Sequence, residues 1–415
     1  MAKYTEKKIS KKTNEKVFIT GPLDLKMFFA VLFLNIYGII MIYSATYSRY
    51  GTRFLKSQLV FVGAGLAAML FLSYFNYQII VHKMGIAALV LSLGVLFLLK
   101  TNLSSASSNG ATRAIQISKS ISVQPAEAIK LGMIVFFSYY VKKIGVDQVG
   151  KRLYLLIISL AFLILVKEFA NNLSTGIIIF GIAFTIMLMS SPNPGRWLAV
   201  AGALAAAVFL FCLLYTVLVP YEPGMEESFR YTRIRAWLDP ISFASSVGMQ
   251  VSLARYALGA GGFWGKGLGK SLIKYTLPEA RNDFILAVIF EELGVFGVLL
   301  LMFLFGYLLY RIFLVIMEAP DISGKVIAIG VFTHFTLQVA MNVLVVVGLF
   351  PTTGVSLPFI SAGGSSAVFL LLELGIVFNI DKSARELKYR QEAEAYVRMK
   401  EEAAKTHGRR LAPET

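Results

Sequence analysis

Long apolar runs, each close to the length of a bilayer crossing and separated by polar connections, fill the chain from residue 27 to residue 380. Ten stand out, at roughly 27–46, 58–75, 79–99, 125–141, 153–167, 173–191, 197–219, 284–314, 325–349 and 364–380. A helix needs about 20 apolar residues to cross the hydrocarbon core, so the pattern predicts an all-α, polytopic integral membrane protein of about ten transmembrane helices. The twelve prolines all lie outside these runs or at their ends. Pro22, Pro125, Pro220, Pro278, Pro320 and Pro358 punctuate helices without breaking them, as expected where water cannot replace a lost backbone hydrogen bond. Two connections, about 100–124 and 220–283, are long enough to hold chemistry, and a structureless loop of the second length is unusual unless functional.

Charge then sets the orientation. An even number of crossings puts both termini on one side, and the short connections bearing Lys142, Lys143, Lys151, Arg152, Arg311 and Lys325 mark that side as the cytoplasm. The chain therefore divides into a basic cytoplasmic tail (1–26), a ten-helix membrane domain (27–380) with 220–283 as its large extracytoplasmic loop, and a charged cytoplasmic tail (381–415). The first run is no cleaved signal peptide, because a 26-residue tail precedes it and nine further runs follow. Only 15% of the residues are charged and 57% are hydrophobic, with mean hydropathy +0.69. Soluble domains carry about 25% charge, so that class is excluded. The net charge of +16 gathers in the tails, at Lys3, Lys7, Lys8, Lys11, Lys12 and Lys16 and again over 382–410. It suits anionic lipid, and no nucleic-acid reading module accompanies it. A single cysteine, Cys212, excludes an intrachain disulfide, and His82, His334 and His407 show no zinc-ligand spacing.

Candidate chemistry concentrates where carboxylates interrupt apolar sequence. Residues 277–294 carry Glu279, Asp283, Glu291 and Glu292 at the mouth and inside of an apolar helix. An ionised side chain in a spanning segment costs at least about 2.5–3.5 kcal/mol, so such groups face a bundle interior or a wet cavity and usually have a function. Asp283 is the foremost candidate. Glu291 and Glu292 lie about 12–14 Å further along a helix, too deep to share its reaction centre, and are expected to pair with neighbouring helices. In the fourth run Glu127 and Lys130 stand three apart on one helical face. They form either a structural ion pair or a site where Lys130 neutralises a diphosphate that Glu127 orients, with Arg113 assisting. His334, Gln338 and Asn342 repeat every four residues, as interhelical hydrogen bonds or as the lining of a lipid-chain groove. The stretch Gly259–Ser271 ends in Gly-Lys-Ser, but Trp264 stands where a P-loop needs its first glycine, which rejects an ATPase. Two readings of it stay open: a lysine-bearing loop suited to phosphate groups, or a hinge between re-entrant helices.

Together these residues resemble the SEDS family (shape, elongation, division and sporulation), the FtsW/RodA/SpoVE-like peptidoglycan polymerases. The likeness runs from Ser44-Ala45 to the tenth span through Asn109-Gly110-Ala111, Gln124-Pro125-Ala126-Glu127 with Lys130, and Trp237-Leu238-Asp239-Pro240. It continues through Gly248-Met249-Gln250, Gly265-Lys266-Gly267-Leu268-Gly269, Leu277-Pro278-Glu279-Ala280 with Asp283, and Glu291-Glu292-Leu293-Gly294. It closes on Pro351 to Ser361 followed by Gly363-Gly364-Ser365-Ser366. The resemblance implies a glycosyltransferase that polymerises lipid II into β-1,4 glycan strands at the outer face of the cytoplasmic membrane, by inversion, with undecaprenyl pyrophosphate leaving. Asp283 matches the family's essential aspartate and is the implied base. Gln124, Glu127, Lys130, Arg113, Lys266, Ser365 and Ser366 are the implied substrate-binding residues. A divalent cation, Mg or Mn, is compatible with that chemistry, whereas no nucleotide, haem or zinc is expected. The implied partners are a class B penicillin-binding protein, other divisome or elongasome membrane proteins, and undecaprenyl-linked glycan. The chain departs from the family pattern at Ala114, at Asn172-Leu173-Ser174-Thr175, at Arg281-Asn282 and at Ala362. The Asn172 variant leans towards the division or sporulation branch over the elongation branch. The competing readings are a lipid II flippase, given intramembrane carboxylates in a ten-helix bundle, and a scaffold that only recruits a transpeptidase.

Overall fold

The computed structural model describes residues 19, 21–98, 106–108, 111–118, 121–144, 149–170, 172–189, 194–218, 229–243 and 248–410. The basic stretch Lys3–Lys16, Asn109-Gly110, Pro220 and the side chains of Arg113, Lys151, Arg152 and Cys212 lie outside what is described. Ten long helices coincide with the ten apolar runs: α1 (Leu25–Tyr50), α2 (Arg53–Tyr74), α3 (Tyr77–Leu98), α4 (Pro125–Ile144), α5 (Val149–Ala170), α6 (Leu173–Met189) and α7 (Pro194–Leu218). After α7 come two short helices, α8 (Phe229–Leu238) and α9 (Gly248–Gly261), and a 3-10 turn Ile273–Tyr275, then α10 (Ile285–Glu318), α11 (Ile322–Val346) and α12 (Gly364–Arg410). Among the described residues, seven helices are long and apolar enough to cross a membrane by length and composition alone. α4 is more polar because it buries Glu127 and Lys130 and ends in Lys142 and Lys143. Large apolar side chains on the outer helix faces, such as Val60, Phe71 and Phe303, are 63–69% exposed. An apolar surface of that kind requires lipid around it, so the chain is a polytopic membrane protein.

Helix ends follow from local capping. Asp24 caps α1 by accepting the Lys26 and Met27 N–H groups at 3.0 and 3.3 Å, and Asp321 caps α11 through Gly324 N–H at 2.8 Å. Pro125 opens α4 at the position where its missing N–H costs nothing. Asp24 also binds Arg311 near the end of α10, and Arg385 reaches both Asp24 at 3.6 Å and Asp381 at 3.0 Å. At the same end, Asn379 donates to Ser73 O and accepts from Tyr77 N–H, both at 3.0 Å. Residues 24 and 379–385 therefore sit together, as an even number of crossings requires. The boundary expected at 381 falls inside α12, which continues to Arg410 and buries Asp381, Lys382 and Ser383.

The opposite end differs from a purely helical expectation. Residues 106–123 form a small antiparallel sheet of β1 (Ala106–Ser108), β2 (Ala111–Ser118) and β3 (Ile121–Val123), with β2 between the other two. The alternation Ile115-Gln116-Ile117-Ser118 is its period-two signature. Below this end, α10 breaks at Gly294, where φ is 68° and ψ −165°. The glycine-rich loop closes on that break: Lys266 and Gly267 N–H groups donate to Glu291 and Glu292 carbonyls, both at 2.9 Å, and Val295 N–H donates to Gly262 O at 3.1 Å. A Cβ on Gly294 would lie 2.4 Å from both Gly265 N and Phe263 O. Gly294→Ala is therefore expected to reduce both the amount extracted in detergent and the melting temperature, and wild-type values for both would show that the break tolerates a side chain.

Candidate functional site

Asp283 lies in the turn preceding α10 and is buried, 8% exposed. The turn is closed by Glu279, whose carbonyl accepts the Asn282 and Phe284 N–H groups at 2.9 and 3.2 Å, and whose carboxylate accepts Asn282 Nδ2 at 2.5 Å. Glu279 holds a left-handed φ of 57°. Phe359, with φ 62°, is the other non-glycine residue of this kind among the described residues, and it stacks on Phe335 of α11 with ring centroids 5.5 Å apart. Each such residue costs about 1–3 kcal/mol, and the surrounding contacts must over-determine it. The two strained segments meet. Ala362 N–H donates to Arg281 O at 2.9 Å, Ser361 Oγ to Asn282 O at 2.8 Å, and Asn342 Nδ2 of α11 to Asp283 O at 2.8 Å. Three successive carbonyls around the aspartate are thus pinned to two other elements, which leaves the carboxylate on a rigid mount.

Asn342 also connects this mount to a buried charge cluster. One turn back on α11, Gln338 Nε2 lies 3.4 Å from Glu127 Oε1 and donates to Ser356 O at 3.1 Å. Glu127 binds Lys130 at 2.7 Å, with both side chains almost wholly buried. One turn further, His334 sits between two carboxylates: Nδ1 is 2.8 Å from Glu373 Oε2 of α12, and Nε2 is 3.5 Å from Glu127 Oε2. The stripe His334–Gln338–Asn342 is therefore an interhelical hydrogen-bonding face that ties α4, α11 and α12 to the Asp283 turn.

The remaining expected site residues separate into two groups. Gln124 N–H donates to Ser365 Oγ at 2.9 Å, so Gln124, Ser365 and the adjacent Ser366, both serines buried at the start of α12, stand beside Glu127. Arg113 lies on β2, which packs against α4. Lys266 is elsewhere: its ammonium binds Glu291 at 2.7 Å, and the Lys266 and Gly267 amides donate to the α10 break. These contacts make the loop a closure of the α10 break. Glu291 and Glu292 are held mostly by this loop, contrary to the expectation of helix partners. Glu291 accepts Ser271 Oγ at 2.5 Å and Ile273 N–H at 3.1 Å, and Glu292 accepts Lys274 Nζ at 3.3 Å. Among the described residues, Ser44 of α1, which donates to Glu292 at 2.5 Å, matches that expectation.

The profile of the cell cycle protein family FTSW_RODA_SPOVE matches residues 25–386. The chain belongs to this family. Among its relatives, the probable peptidoglycan glycosyltransferase FtsW of Trichlorobacter lovleyi is 32% identical over 376 residues, covering 88% of this chain and 94% of the relative. The FtsW of Bacillus subtilis is 33% identical, covering 86% and 90%, and stage V sporulation protein E of the same organism is 33% identical, covering 88% and 98%. In fold, a chain from the structure of a peptidoglycan synthase complex aligns with TM-score 0.69 at 23% identity, covering 87% of this chain and 98% of that one. The rod shape determining protein RodA of Thermus thermophilus aligns with TM-score 0.62 at 22% identity, covering 88% and 97%.

Within this FtsW/RodA/SpoVE frame, Glu373 escapes the sequence reading, and Arg281 enters it only as a departure from the family pattern. Glu373 interrupts the apolar run Phe369–Leu374 and should have drawn attention for the same insertion cost as Asp283. Arg281 shares the Asp283 turn and stacks on two aromatic rings, a contact that no spacing rule foretells. Among the described residues, no three His, Cys, Asp or Glu side chains come together to hold a metal ion.

Proposed function

We propose that this protein is a peptidoglycan glycosyltransferase that joins lipid II units into glycan strands at the outer face of the cytoplasmic membrane. What carries the reading is the pinned turn: a carboxylate held at the end of the bundle by three carbonyl contacts, coupled through α11 to a buried lysine and two glutamates. The names of the relatives, which cover most of this chain, support the same activity. Asp283 accepts the proton of the acceptor sugar's 4-hydroxyl as that oxygen attacks the donor's anomeric carbon. The donor's bond to its diphosphate breaks, the electron pair leaves with the diphosphate oxygen, and the anomeric centre inverts. One positioned base suffices for this, and no covalent intermediate forms. A chain of this fold occurs in a complex named for coordinating polymerization and crosslinking, which supports a crosslinking partner, assigned here as a class B penicillin-binding protein. The direct test incubates purified protein and that partner with lipid II in detergent, where no leaflet is crossed. Glycan strands are the expected product, and their absence would return the flippase to first place.

The orientation belongs to the same proposal. Ile241, after α8, is 84% exposed, and Val397, far along α12, is 53% exposed. In a background lacking Cys212, Ile241→Cys is expected to label with an impermeant thiol reagent in intact cells, and Val397→Cys only after lysis. Labelling of the second position in intact cells would reverse the sidedness drawn from the basic connections.

A further inference from the structure

Arg281 is the one arginine in the turn that carries Asp283. Its guanidinium carbon lies 4.5 Å from the Phe54 ring centroid and 4.8 Å from that of Tyr50. These two rings, at the start of α2 and the end of α1, meet edge-on at 4.9 Å. The guanidinium is therefore seated where the α1–α2 turn reaches the Asp283 turn. The seat lies at the surface, since Tyr50 is 44% exposed. Below the ring of contacts the backbone is also fixed, because Arg281 O accepts Ala362 N–H at 2.9 Å. Yet Nη1 is buried and makes no hydrogen bond to the protein. Three other cations of this half of the bundle are engaged: Lys130 by Glu127, Lys266 by Glu291, and Lys274 by Glu292. An arginine held rigidly on aromatic faces, with a donor unspent, has the geometry for planar two-pronged recognition of a phosphate.

We propose that Arg281 binds the diphosphate of the polyprenyl-linked donor and holds it two residues from the base. The identity of the anion rests on the glycosyltransferase reading above, whereas the anion site rests on the turn's own geometry. When the donor's bond breaks, the electron pair arrives on the diphosphate oxygens that Arg281 contacts, so the same group that positions the donor also receives the leaving charge. The aromatic seat fixes the guanidinium at the turn before the substrate arrives.

Two arms test this. In the first, the purified protein is melted in detergent with farnesyl diphosphate, farnesyl monophosphate or farnesol. The wild type is expected to be stabilised most by the diphosphate. Arg281→Gln should keep the ligand-free melting temperature and lose the diphosphate-specific rise, weakening binding about ten- to a hundredfold, the size of a hydrogen bond to a charged group. Arg281→Lys should recover part of it, because the charge stays and the planar fork is lost. Equal stabilisation of wild type and Arg281→Gln by the diphosphate overturns the site, whether or not the protein polymerises lipid II. In the second arm, lipid II polymerisation with the partner present should show a raised KM and a lowered kcat for Arg281→Gln. Active wild type with an unaltered Arg281→Gln overturns the role of Arg281 alone, while inactive wild type speaks only against the glycosyltransferase reading and leaves the first arm to decide the anion site. If Arg281 only packed the turn, ligand-free stability would fall and the diphosphate response would survive, which also overturns the proposal.

Discussion

Asp283→Asn is expected to cut lipid II polymerisation by at least about a hundredfold while leaving the protein folded and its partner bound. Positioned acid–base groups contribute about 10²–10⁴-fold to rate, and asparagine keeps the shape of aspartate but almost none of its basicity. The mount survives the change, because Asn342 holds the backbone carbonyl of Asp283 and Ser361 holds that of Asn282. Neither contact involves the carboxylate. Melting temperature and co-purification of the penicillin-binding protein should therefore match the wild type, which separates a chemical defect from a folding one. Strand synthesis near the wild-type rate would remove Asp283 from the mechanism. A transporter could need the same carboxylate, so the measurement is made in detergent, where translocation contributes nothing.

The parts of this architecture that were legible in the sequence are those governed by length and period. Ten apolar runs gave ten helices, because a bilayer demands the same number of residues of each. The Glu127–Lys130 pair was legible too, since a separation of three on a helix brings side chains together regardless of the rest of the fold. What lay beyond reach depends on contacts distant in sequence. Lys266 reads as a free cation until the loop folds back 25 residues to Glu291, and the seat of Arg281 joins residues from the α1–α2 turn. Glu279 carries no hint of a left-handed backbone, because glutamate has no intrinsic leaning towards it. Its conformation is imposed by the contacts that close the Asp283 turn. The charged segment after 380 reads as a separate tail by composition, yet Asn379 and Lys382 bind Ser73 and so fasten α12 to the α2–α3 turn.

Lys130→Ala is expected to have the second large effect, and its origin differs. Lys130 is 2% exposed and Glu127 4%, and removing one partner of a buried ion pair typically costs about 3–5 kcal/mol, because the other charge is left uncompensated. Here the burden is heavier, since Glu373 lies on the far side of His334 and both carboxylates would face one imidazole. The single variant should accumulate poorly and melt well below the wild type. Glu127→Gln with Lys130→Met removes both charges at similar volume, so abundance and melting temperature should return most of the way. Polymerisation should not return, because the cluster is joined through Gln338 and Asn342 to the Asp283 turn and supplies a buried positive charge in the second turn of α4. Recovery of strand synthesis together with stability would show that Glu127 and Lys130 only hold the helices together, and would leave Arg281 as the cation that meets the donor.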